Sequence, residues 1–317
     1  MFITLILVII VCAFVANMFS GGGSPHKTRQ IFHGNYYAED AVTSENDVPN
    51  SVESIEKCIE AGMGIKTELF LTKDRRAVVS AYNNLAIQYN IEKNISETDS
   101  GELGALGIMT VGQLIEKVGG RVPLILELKV SDHNESICRY TADAIKSSGF
   151  ENIAVCSFHS GMIAWFKEKE KKIFRGLISA PAHDFKSLSK IDRFMTGNLA
   201  NNSVSRPHFI LYRNKPQSIL VKFAFYLGTV KGIWTMTDQQ EAKEKESDNA
   251  MIVSRGFMPE KPHYQDLPER QKTRQELAKE KKAEERAARR QIKEEYKRQL
   301  QAEKAAKAAE KENNTEE

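Results

Sequence analysis

The feature of this chain that most constrains its fold is the alternation of short apolar segments with helical patterns between residues 30 and 259. Segments with the composition of strands lie at residues 30–34, 64–71, 77–82, 122–129, 153–158, 174–179, 208–213, 232–237 and 250–254. Because strands separated by helices pair in parallel, this pattern predicts an α/β fold, and about eight repeats predict a (β/α)8 TIM-type barrel. One of these candidates is then surplus, and the polar segment 84–106 is predicted to be an insertion.

The first 19 residues are predicted to form a transmembrane anchor. Residues 2–19 are uncharged and mostly apolar, which is the short end of the length for a membrane-spanning helix. A cleaved signal peptide is the alternative, although no positive charge precedes the apolar run. Residues 20–29 are predicted to be a flexible linker, and Lys27 and Arg29 within it favour a single-pass membrane protein whose barrel, residues 30–260, is cytoplasmic. Dispersed cysteines without metal-type spacing agree with that compartment.

The last part of the chain, residues 261–317, is predicted to be a charged helical tail. It is built mainly of Ala, Glu, Lys, Arg and Gln, and we expect a helix of about 45 residues, roughly 65 Å long. The helix either stays solvated or binds a protein partner through Ile292, Tyr296 and Leu300; this apolar stripe is thin for a long coiled coil. The tail accounts for the whole net charge of +3, so the rest of the chain is neutral and no nucleic-acid partner is expected.

Polar side chains mark a candidate site at the predicted strand ends, where TIM barrels carry their catalytic groups. The side chains at these ends are His33, Lys66, Glu68, Ala81, Tyr82, Glu127, Lys129, Ser157 and Trp234. The two charged residues on each of two strands are spaced two positions apart, so each pair points to one side of its strand. Because ionised groups are almost never buried without a partner or a ligand, these pairs predict a polar site inside the barrel.

At these residues the chain resembles the glycerophosphodiester phosphodiesterases over roughly residues 30–260. The stretch NSVESIEKCIEAGMGIKTELFLTKDRRAVV and the later GGRVPLILELK and GIWTMT carry the resemblance, and RGLIS and RPHFILY resemble a bacterial membrane-anchored branch. The resemblance implies a TIM barrel that hydrolyses glycerophosphodiesters with a divalent cation such as Mg²⁺ or Ca²⁺.

Most of the functional positions that this resemblance implies are changed in the chain. The family's His-Arg-Gly motif is compared with HGN at 33–35, which leaves His33 as a catalytic remnant without the phosphate-contacting Arg. The Glu-Asn pair is PN at 49–50, and the metal-binding Glu-x-Asp is KTE at 66–68. The second catalytic His and its following Asp fall on AY at 81–82. A positioned acid or base contributes about 10²–10⁴-fold to a reaction rate, so these losses are severe.

The positions that remain imply a remnant site. The resemblance makes Glu68 and Glu127 remnant metal ligands, and it makes Asn50, Lys66, Lys129 and Trp234 the binding residues. In the family, three carboxylates and a divalent ion carry a net charge of −1, and Lys66 with Glu68 and Glu127 carries the same charge. The Lys66 ammonium is therefore predicted to replace the metal, and no cofactor is expected.

These changes favour a membrane-anchored phosphodiesterase-like protein that is catalytically silent and binds a phosphate-containing small ligand or acts as a scaffold. The first alternative is an active phosphoric diester hydrolase of lipid metabolism with a rearranged site, recruiting His159 or His183. The second is an inert barrel whose charged tail carries the function. Metal-dependent hydrolysis of glycerophosphodiesters discriminates the first alternative from the others.

Overall fold

The chain forms a closed barrel of parallel strands. The computed structural model describes residues 2–265, and the chain divides into two units, Met1–Leu267 and Pro268–Glu317. The strands in residues 2–265 are β1 (Asn35–Glu39), β2 (Gly64–Leu71), β3 (Ala77–Val79), β4 (Leu124–Leu128), β5 (Ile153–Ser157), β6 (Phe174–Ser179), β7 (Phe209–Arg213), β8 (Val230–Met236) and β9 (Met251–Ser254). All except β3 pair in parallel, and the pairs β1–β2 and β1–β9 close the ring. The predicted TIM-type barrel is confirmed. The predicted tail helix with Ile292, Tyr296 and Leu300 lies outside the described residues.

Helices connect the strands of the barrel. In the described part of the chain they are α1 (Phe2–Phe19), α2 (His26–Phe32), α3 (Val52–Glu60), α4 (Ala86–Tyr89), α5 (Ser100–Ala105), α6 (Val111–Val118), α7 (Asn134–Ser148), α8 (Ser160–Lys169), α9 (Lys190–Gly197), α10 (Asn202–Ser205), α11 (Ile219–Tyr226) and α12 (Gln239–Glu244). Local sequence sets several ends: α6 begins at a capping box formed by Thr110 and Gln113, and it ends at Gly119, whose φ of 58° is left-handed. Helix α3 begins at Ser51, whose hydroxyl accepts from the Ser54 N–H.

The first strand lies later in the chain than the sequence indicates. Residues 30–34 were predicted as a strand, but Ile31 and Phe32 end α2, and the strand begins at Asn35 after the left-handed Gly34. The buried Phe32 ring stacks on Phe174 inside the barrel, with ring centroids 4.7 Å apart. An apolar helix end that plugs the barrel looks like a strand in the sequence, because both bury consecutive apolar residues.

The surplus strand candidate is β3, which is a real strand outside the barrel. It pairs antiparallel with the end of β2. The following segment, residues 84–106, forms short helices around a small core of its own that includes Leu85, Ile95 and Leu103. The predicted insertion is therefore present, and it follows β3 in the connection between the barrel strands β2 and β4.

The apolar N-terminal helix α1 does not meet the prediction of a transmembrane anchor. Within residues 2–265, no helix combines the length and the apolar character needed to cross a membrane. The last residue of α1, Phe19, is buried in the protein against the ring of Phe223. The predicted membrane anchor at residues 2–19, and the single-pass localisation inferred from it, are wrong.

The chain continues to pack on the barrel beyond residue 260, where the sequence places the barrel's end. The Tyr36 N–H donates to the Pro262 carbonyl at 2.8 Å, and the Tyr264 N–H donates to the Gly34 carbonyl at 2.7 Å. The Tyr264 hydroxyl donates to the Asn249 carbonyl at 2.9 Å. This segment therefore covers the outer face of β1.

Candidate functional site

Charged side chains occupy the carboxyl ends of three neighbouring strands. Glu39 ends β1, Lys66 and Glu68 lie on β2, and Glu127 lies on β4, with Lys129 directly after it. The strand register places Glu39 beside Lys66 and Glu68 beside Glu127. Side chains two residues apart face the same side of a strand, so these groups converge inside the barrel mouth. We call these five residues the charged cluster.

Lys66 is the centre of the charged cluster. Its Nζ lies 2.5 Å from a Glu127 carboxylate oxygen, 3.1 Å from Glu39 and 3.8 Å from Glu68, and its side chain is only 3% exposed. Burial alone would lower the pKa of Lys66, but the surrounding carboxylates outweigh it and hold that pKa well above its ordinary value. The ammonium is therefore charged and shared by three acids.

Lys129 bridges two of the same carboxylates from the solvent side. Its Nζ lies 2.8 Å from Glu68 and 2.9 Å from Glu127. The cluster thus contains three carboxylates and two ammonium groups, which carry a net charge of −1 when all are ionised. Burial would raise the pKa of Glu127, but Lys66 and Lys129 lower it below its usual range.

Glu68 differs from the other acids of the cluster. Burial and the neighbouring charge of Glu127 raise the pKa of Glu68 to about 7, and Lys66 and Lys129 only partly offset this. The 2.8 Å contact with Lys129 favours the ionised form, and the burial penalty with the like charge favours the neutral form. Glu68 is therefore a carboxyl group that titrates close to neutral pH.

A second set of polar residues lies next to the cluster, on the opposite face of β2. The Asp40 carboxylate receives an ion pair from Arg255 at 2.9 Å and a hydrogen bond from the Asn50 amide at 3.3 Å. The Thr67 hydroxyl donates to the Asn50 side-chain oxygen at 2.8 Å. Both ends of the Asn50 side chain are thus engaged within the protein, although the sequence marks Asn50 as a ligand-binding position.

His33 does not lie with the cluster. It follows α2 and precedes β1, and its Nδ1 lies 3.4 Å from the Gln265 carbonyl oxygen. Strand residues advance about 3.3 Å each, so the six residues from His33 to Glu39 span about 20 Å. The carboxyl end of β1 is the segment EDA at 39–41, and Ala41 has a φ of 58°, a left-handed conformation that favours glycine. Residues 39–41 therefore occupy the strand end at which the sequence resemblance predicted His33.

Other residues that the sequence singled out are engaged elsewhere. The Ser157 hydroxyl donates to the Leu128 carbonyl, the His159 Nδ1 accepts from the Met162 N–H at the start of α8, and the exposed His183 lies 3.4 Å from Asp184. Ala81 and Tyr82 follow β3, where the Ser80 hydroxyl donates to the Tyr82 carbonyl at 2.8 Å. The Trp234 ring packs edge-on against Phe158 at 5.5 Å, and its N–H donates to the Ser179 carbonyl at 3.0 Å. The histidines do not join the charged cluster.

Glu39 is the main residue that the sequence reasoning missed. Besides Lys66, its carboxylate accepts a hydrogen bond from the Thr235 hydroxyl at 2.8 Å. The signal was present in the sequence: an acidic residue follows the short apolar run YYA, and a second acid comes directly after it. It was hidden because the strand was placed five residues too early.

The charged cluster does not fit a divalent cation held by its carboxylates. The Lys66 ammonium already lies among them, and a divalent ion about 4 Å from it would meet a repulsion of about 8 kcal/mol at an effective dielectric of 20. Within the described range, no group of three or more His, Cys, Asp or Glu side chains is arranged to hold a metal ion. We therefore assign no reaction step to a metal.

Comparisons with known proteins agree with this fold. No protein-family model matches the chain, and no curated protein sequence matches it. Among solved structures, a glycerophosphodiester phosphodiesterase from Thermotoga maritima is 22% identical, covers 70% of this chain and 94% of its own, and superposes with a TM-score of 0.53. A phosphodiesterase from Oleispira antarctica, solved with the product sn-glycerol-3-phosphate, is 16% identical, with 70% and 93% covered and a TM-score of 0.56.

A third solved structure gives the same picture. It is a glycerophosphodiester phosphodiesterase from Parabacteroides distasonis that is 20% identical, with 70% of this chain and 93% of its own covered and a TM-score of 0.52. At identities this low, the similarity establishes the fold. The resemblance inferred from the sequence is thus confirmed at that level: the chain has the barrel fold of the glycerophosphodiester phosphodiesterases.

Proposed function

We propose that this protein is a glycerophosphodiester phosphodiesterase-like barrel that does not hydrolyse phosphodiesters and instead binds a phosphate-containing small ligand at the barrel mouth. The observation that carries the proposal is the position of Lys66, whose ammonium lies within 3.8 Å of three carboxylates. In the family that the chain resembles, carboxylates at this place serve a divalent metal. Here they serve a lysine of the protein itself.

The cluster also lacks the two histidines that the family resemblance assigns to proton transfer. The reaction needs a base for the attacking hydroxyl and an acid for the leaving alkoxide, each contributing about 10²–10⁴-fold. No imidazole belongs to the charged cluster, because His33 precedes β1 and the second histidine position is Ala81. Without these histidines, the proposal assigns the barrel mouth to ligand binding and not to cleavage.

We infer the ligand class from the cation of the cluster that is most exposed to solvent. The Lys129 side chain is 29% exposed, compared with 3% for Lys66, so Lys129 is the cation of the cluster that a ligand reaches first. A phosphate that contacts Lys129 also approaches Glu68, and a protonated Glu68 would donate a hydrogen bond to it. We therefore infer a phosphomonoester of a small polyol, of which the sn-glycerol-3-phosphate bound by the Oleispira antarctica protein is an example.

The proposal is tested by assaying the full chain against a panel of glycerophosphodiesters with and without Mg²⁺ or Ca²⁺, and by titrating it calorimetrically with sn-glycerol-3-phosphate. We expect no turnover above background and saturable binding that weakens at least tenfold in Lys129→Met. Lys169→Met, at an exposed helix end, is the matched control and should bind normally. Metal-dependent turnover at enzyme-like rates would contradict the proposal that the barrel is catalytically silent. If sn-glycerol-3-phosphate does not bind, the ligand-binding part of the proposal is wrong and a scaffolding role is favoured.

An active hydrolase with a rearranged site is the second candidate, and the titration of Glu68 near pH 7 favours it. A carboxyl group with that pKa has the proton affinity of an acid–base catalyst at neutral pH. If this candidate is correct, hydrolysis should occur without added metal, its rate should change with a midpoint near pH 7, and Glu68→Gln should abolish it. A rate of hydrolysis that stays at background, or that does not change with pH near 7, would reject this candidate.

A further inference from the structure

A buried arginine without a negative partner lies at the opposite end of the barrel from the charged cluster. Arg175 is the second residue of β6, and it faces outward because the next residue, Gly176, packs inward against the Phe209 ring. Arg175 is only 6% exposed. Its Nε donates to the Ser205 carbonyl at 3.5 Å, and its Nη1 has no acceptor in residues 2–265.

The groups around Arg175 do not supply the missing negative charge. His208 is buried beside it, and burial together with the Arg175 charge lowers the pKa of His208 to about 3, so the ring is neutral. Burial is the cause that lowers the pKa of Arg175 itself, and no carboxylate of the described chain pairs with it. A buried, unpaired guanidinium is costly, because burial removes its hydration and nothing replaces it.

Two further polar groups at this end of the barrel also lack partners. The hydroxyls of Ser205 and Thr229 are buried, and neither has a hydrogen-bond partner within the described residues. The Ser205 carbonyl accepts from the Arg175 Nε, and the adjacent Gly21 and Gly22 lie against Thr229 and Arg175, so these three residues share one end of the barrel. Buried donors in native proteins are almost always satisfied, so an unsatisfied group next to an unpaired cation indicates a ligand.

The glycine-rich segment after α1 packs against Arg175 and its neighbours at this end of the barrel. The Gly22 N–H donates to the Pro207 carbonyl at 2.8 Å, and a Cβ on Gly22 would lie 3.2 Å from the Arg175 Nη2 and 3.0 Å from the His208 ring. A side chain on Gly21 would collide with the Thr229 hydroxyl. Gly22 therefore lies against Arg175, and Gly21 lies against Thr229, more closely than a residue with a side chain could.

We propose that Arg175, Ser205 and Thr229 form a binding site for a small inorganic anion of the size of chloride, enclosed by the backbone of residues 21–22. The anion neutralises the guanidinium and accepts from the two hydroxyls. Because the glycine segment lies over the site, anion binding also holds the C-terminal end of α1 against the barrel. The site is separate from the barrel mouth and does not depend on the function proposed for it.

The experiment measures the melting temperature of the full chain in sodium chloride and in sodium gluconate at equal ionic strength. Gluconate is too large for a site closed by backbone, so it controls for screening. An anion that binds only the folded state raises Tm by mass action. We expect Tm to rise by a few degrees between 10 mM and 500 mM chloride and to remain nearly constant in gluconate.

Substitutions assign the effect to this site. Arg175→Met keeps the length of the side chain and removes the charge, so we expect a folded protein whose Tm no longer responds to chloride. Thr229→Val should shift the chloride dependence to higher concentration, and it provides the test if Arg175→Met does not fold. Arg139→Met, at an exposed position on α7, should behave like wild type. Equal melting temperatures in chloride and gluconate for wild type, or an unchanged chloride response in Thr229→Val and Arg175→Met, would overturn the proposal.

Discussion

At the scale of single residues, Lys66 determines the electrostatics of the barrel mouth. Its ammonium is shared by Glu39, Glu68 and Glu127. If Lys66 lost its charge, Lys129 would be the remaining cation of the cluster. Removing one partner from a buried ion pair typically costs about 3–5 kcal/mol, because the remaining charge stays buried without compensation. The stability of the protein should therefore be sensitive to reversal of the charge at residue 66.

We predict that Lys66→Glu destabilises the barrel and makes its stability dependent on a divalent cation. The substitution leaves four carboxylates and the single ammonium of Lys129, a net charge of −3, and a bound Mg²⁺ or Ca²⁺ returns the net charge to −1. We expect a loss of about 3–5 kcal/mol without metal, measured by urea denaturation. Added divalent ion should restore much of this loss by mass action.

Wild type and a surface variant provide the comparison for Lys66→Glu. Calorimetry of wild type should detect no specific binding of Mg²⁺ or Ca²⁺, and Lys93→Glu, at an exposed ion pair, should neither destabilise strongly nor respond to the ions. If wild type already binds the ion tightly, or Lys66→Glu is neutral and indifferent to it, Lys66 does not replace a metal.

Glu68 should make the stability fall as pH rises toward neutrality. Its folded pKa of about 7 lies above the ordinary 4.5, so the folded state binds the proton more tightly than the unfolded state. The stabilisation is therefore complete below pH 4.5 and is lost between pH 4.5 and 7, by an amount of about 3 kcal/mol. The pKa of Glu127 is lowered in the folded state, so its contribution to stability is instead lost as the pH falls below the ordinary range of a carboxyl group.

The variant Glu68→Gln isolates this contribution. We expect the free energy of unfolding of wild type, relative to that of Glu68→Gln, to decrease between pH 5 and pH 8. The comparison between the two proteins cancels His208, which is neutral when folded and gives the same pH dependence in both. Glu135→Gln, on the exposed face of α7, is the control. Parallel pH profiles of wild type and Glu68→Gln would show that Glu68 has an ordinary pKa.

At the scale of elements, the sequence predicts most strands well and the first one poorly. The patterns at β2 and β4 to β9 are apolar runs bounded by turns, so local composition is sufficient to find them. The α2–β1 region contains two consecutive apolar runs, and only packing inside the barrel decides that the first is helical. This single error displaced the predicted site from Glu39 to His33.

The hairpin between β2 and β3 contains a strained residue whose replacement should stabilise the protein. Arg75 has a φ of 61°, a left-handed conformation that costs a non-glycine residue roughly 1 kcal/mol, and its side chain is exposed. We expect Arg75→Gly to raise the free energy of unfolding by up to about 0.6 kcal/mol, because the greater freedom of glycine in the unfolded chain offsets about 0.4–1 kcal/mol of the relieved strain. Thermal and urea denaturation measure the change.

Arg75→Ala separates backbone strain from the loss of the arginine side chain. It removes the same side chain and keeps the left-handed strain, so it should not stabilise the hairpin. If alanine and glycine give equal stability, strain at this turn does not contribute.

At the scale of the whole molecule, the repeating pattern was sufficient for the barrel, whereas the complete charged cluster and its supporting residues required the three-dimensional structure. Lys66, Glu68, Glu127 and Lys129 were found from the sequence because their strands were placed correctly. The supporting residues Asp40 and Arg255 are 215 positions apart in the chain, so no local pattern could pair them. The predicted transmembrane anchor failed for a related reason, because apolar composition alone does not show that the last turn of α1 packs on the barrel.

The boundary of the barrel gives a final prediction. The sequence places it at residue 260, but residues 262–264 form backbone and side-chain hydrogen bonds with β1 and with Asn249. Each such bond contributes about 1 kcal/mol. A chain that ends at residue 267 keeps these bonds and should melt within about 2 °C of the full chain, because the closed barrel and its core lie before that point.

A chain that ends at residue 256 loses the same bonds and also the contact of the Tyr264 ring with Tyr36, whose centroids are 5.1 Å apart. We expect its Tm to fall by about 5–10 °C, since about 3 kcal/mol corresponds to that shift in a domain of this size. A large decrease of Tm in the chain that ends at residue 267 would show that the charged tail stabilises the barrel. An unchanged Tm at residue 256 would show instead that residues 257–267 contribute nothing to the fold, and that the hydrogen bonds to β1 form without net stabilisation.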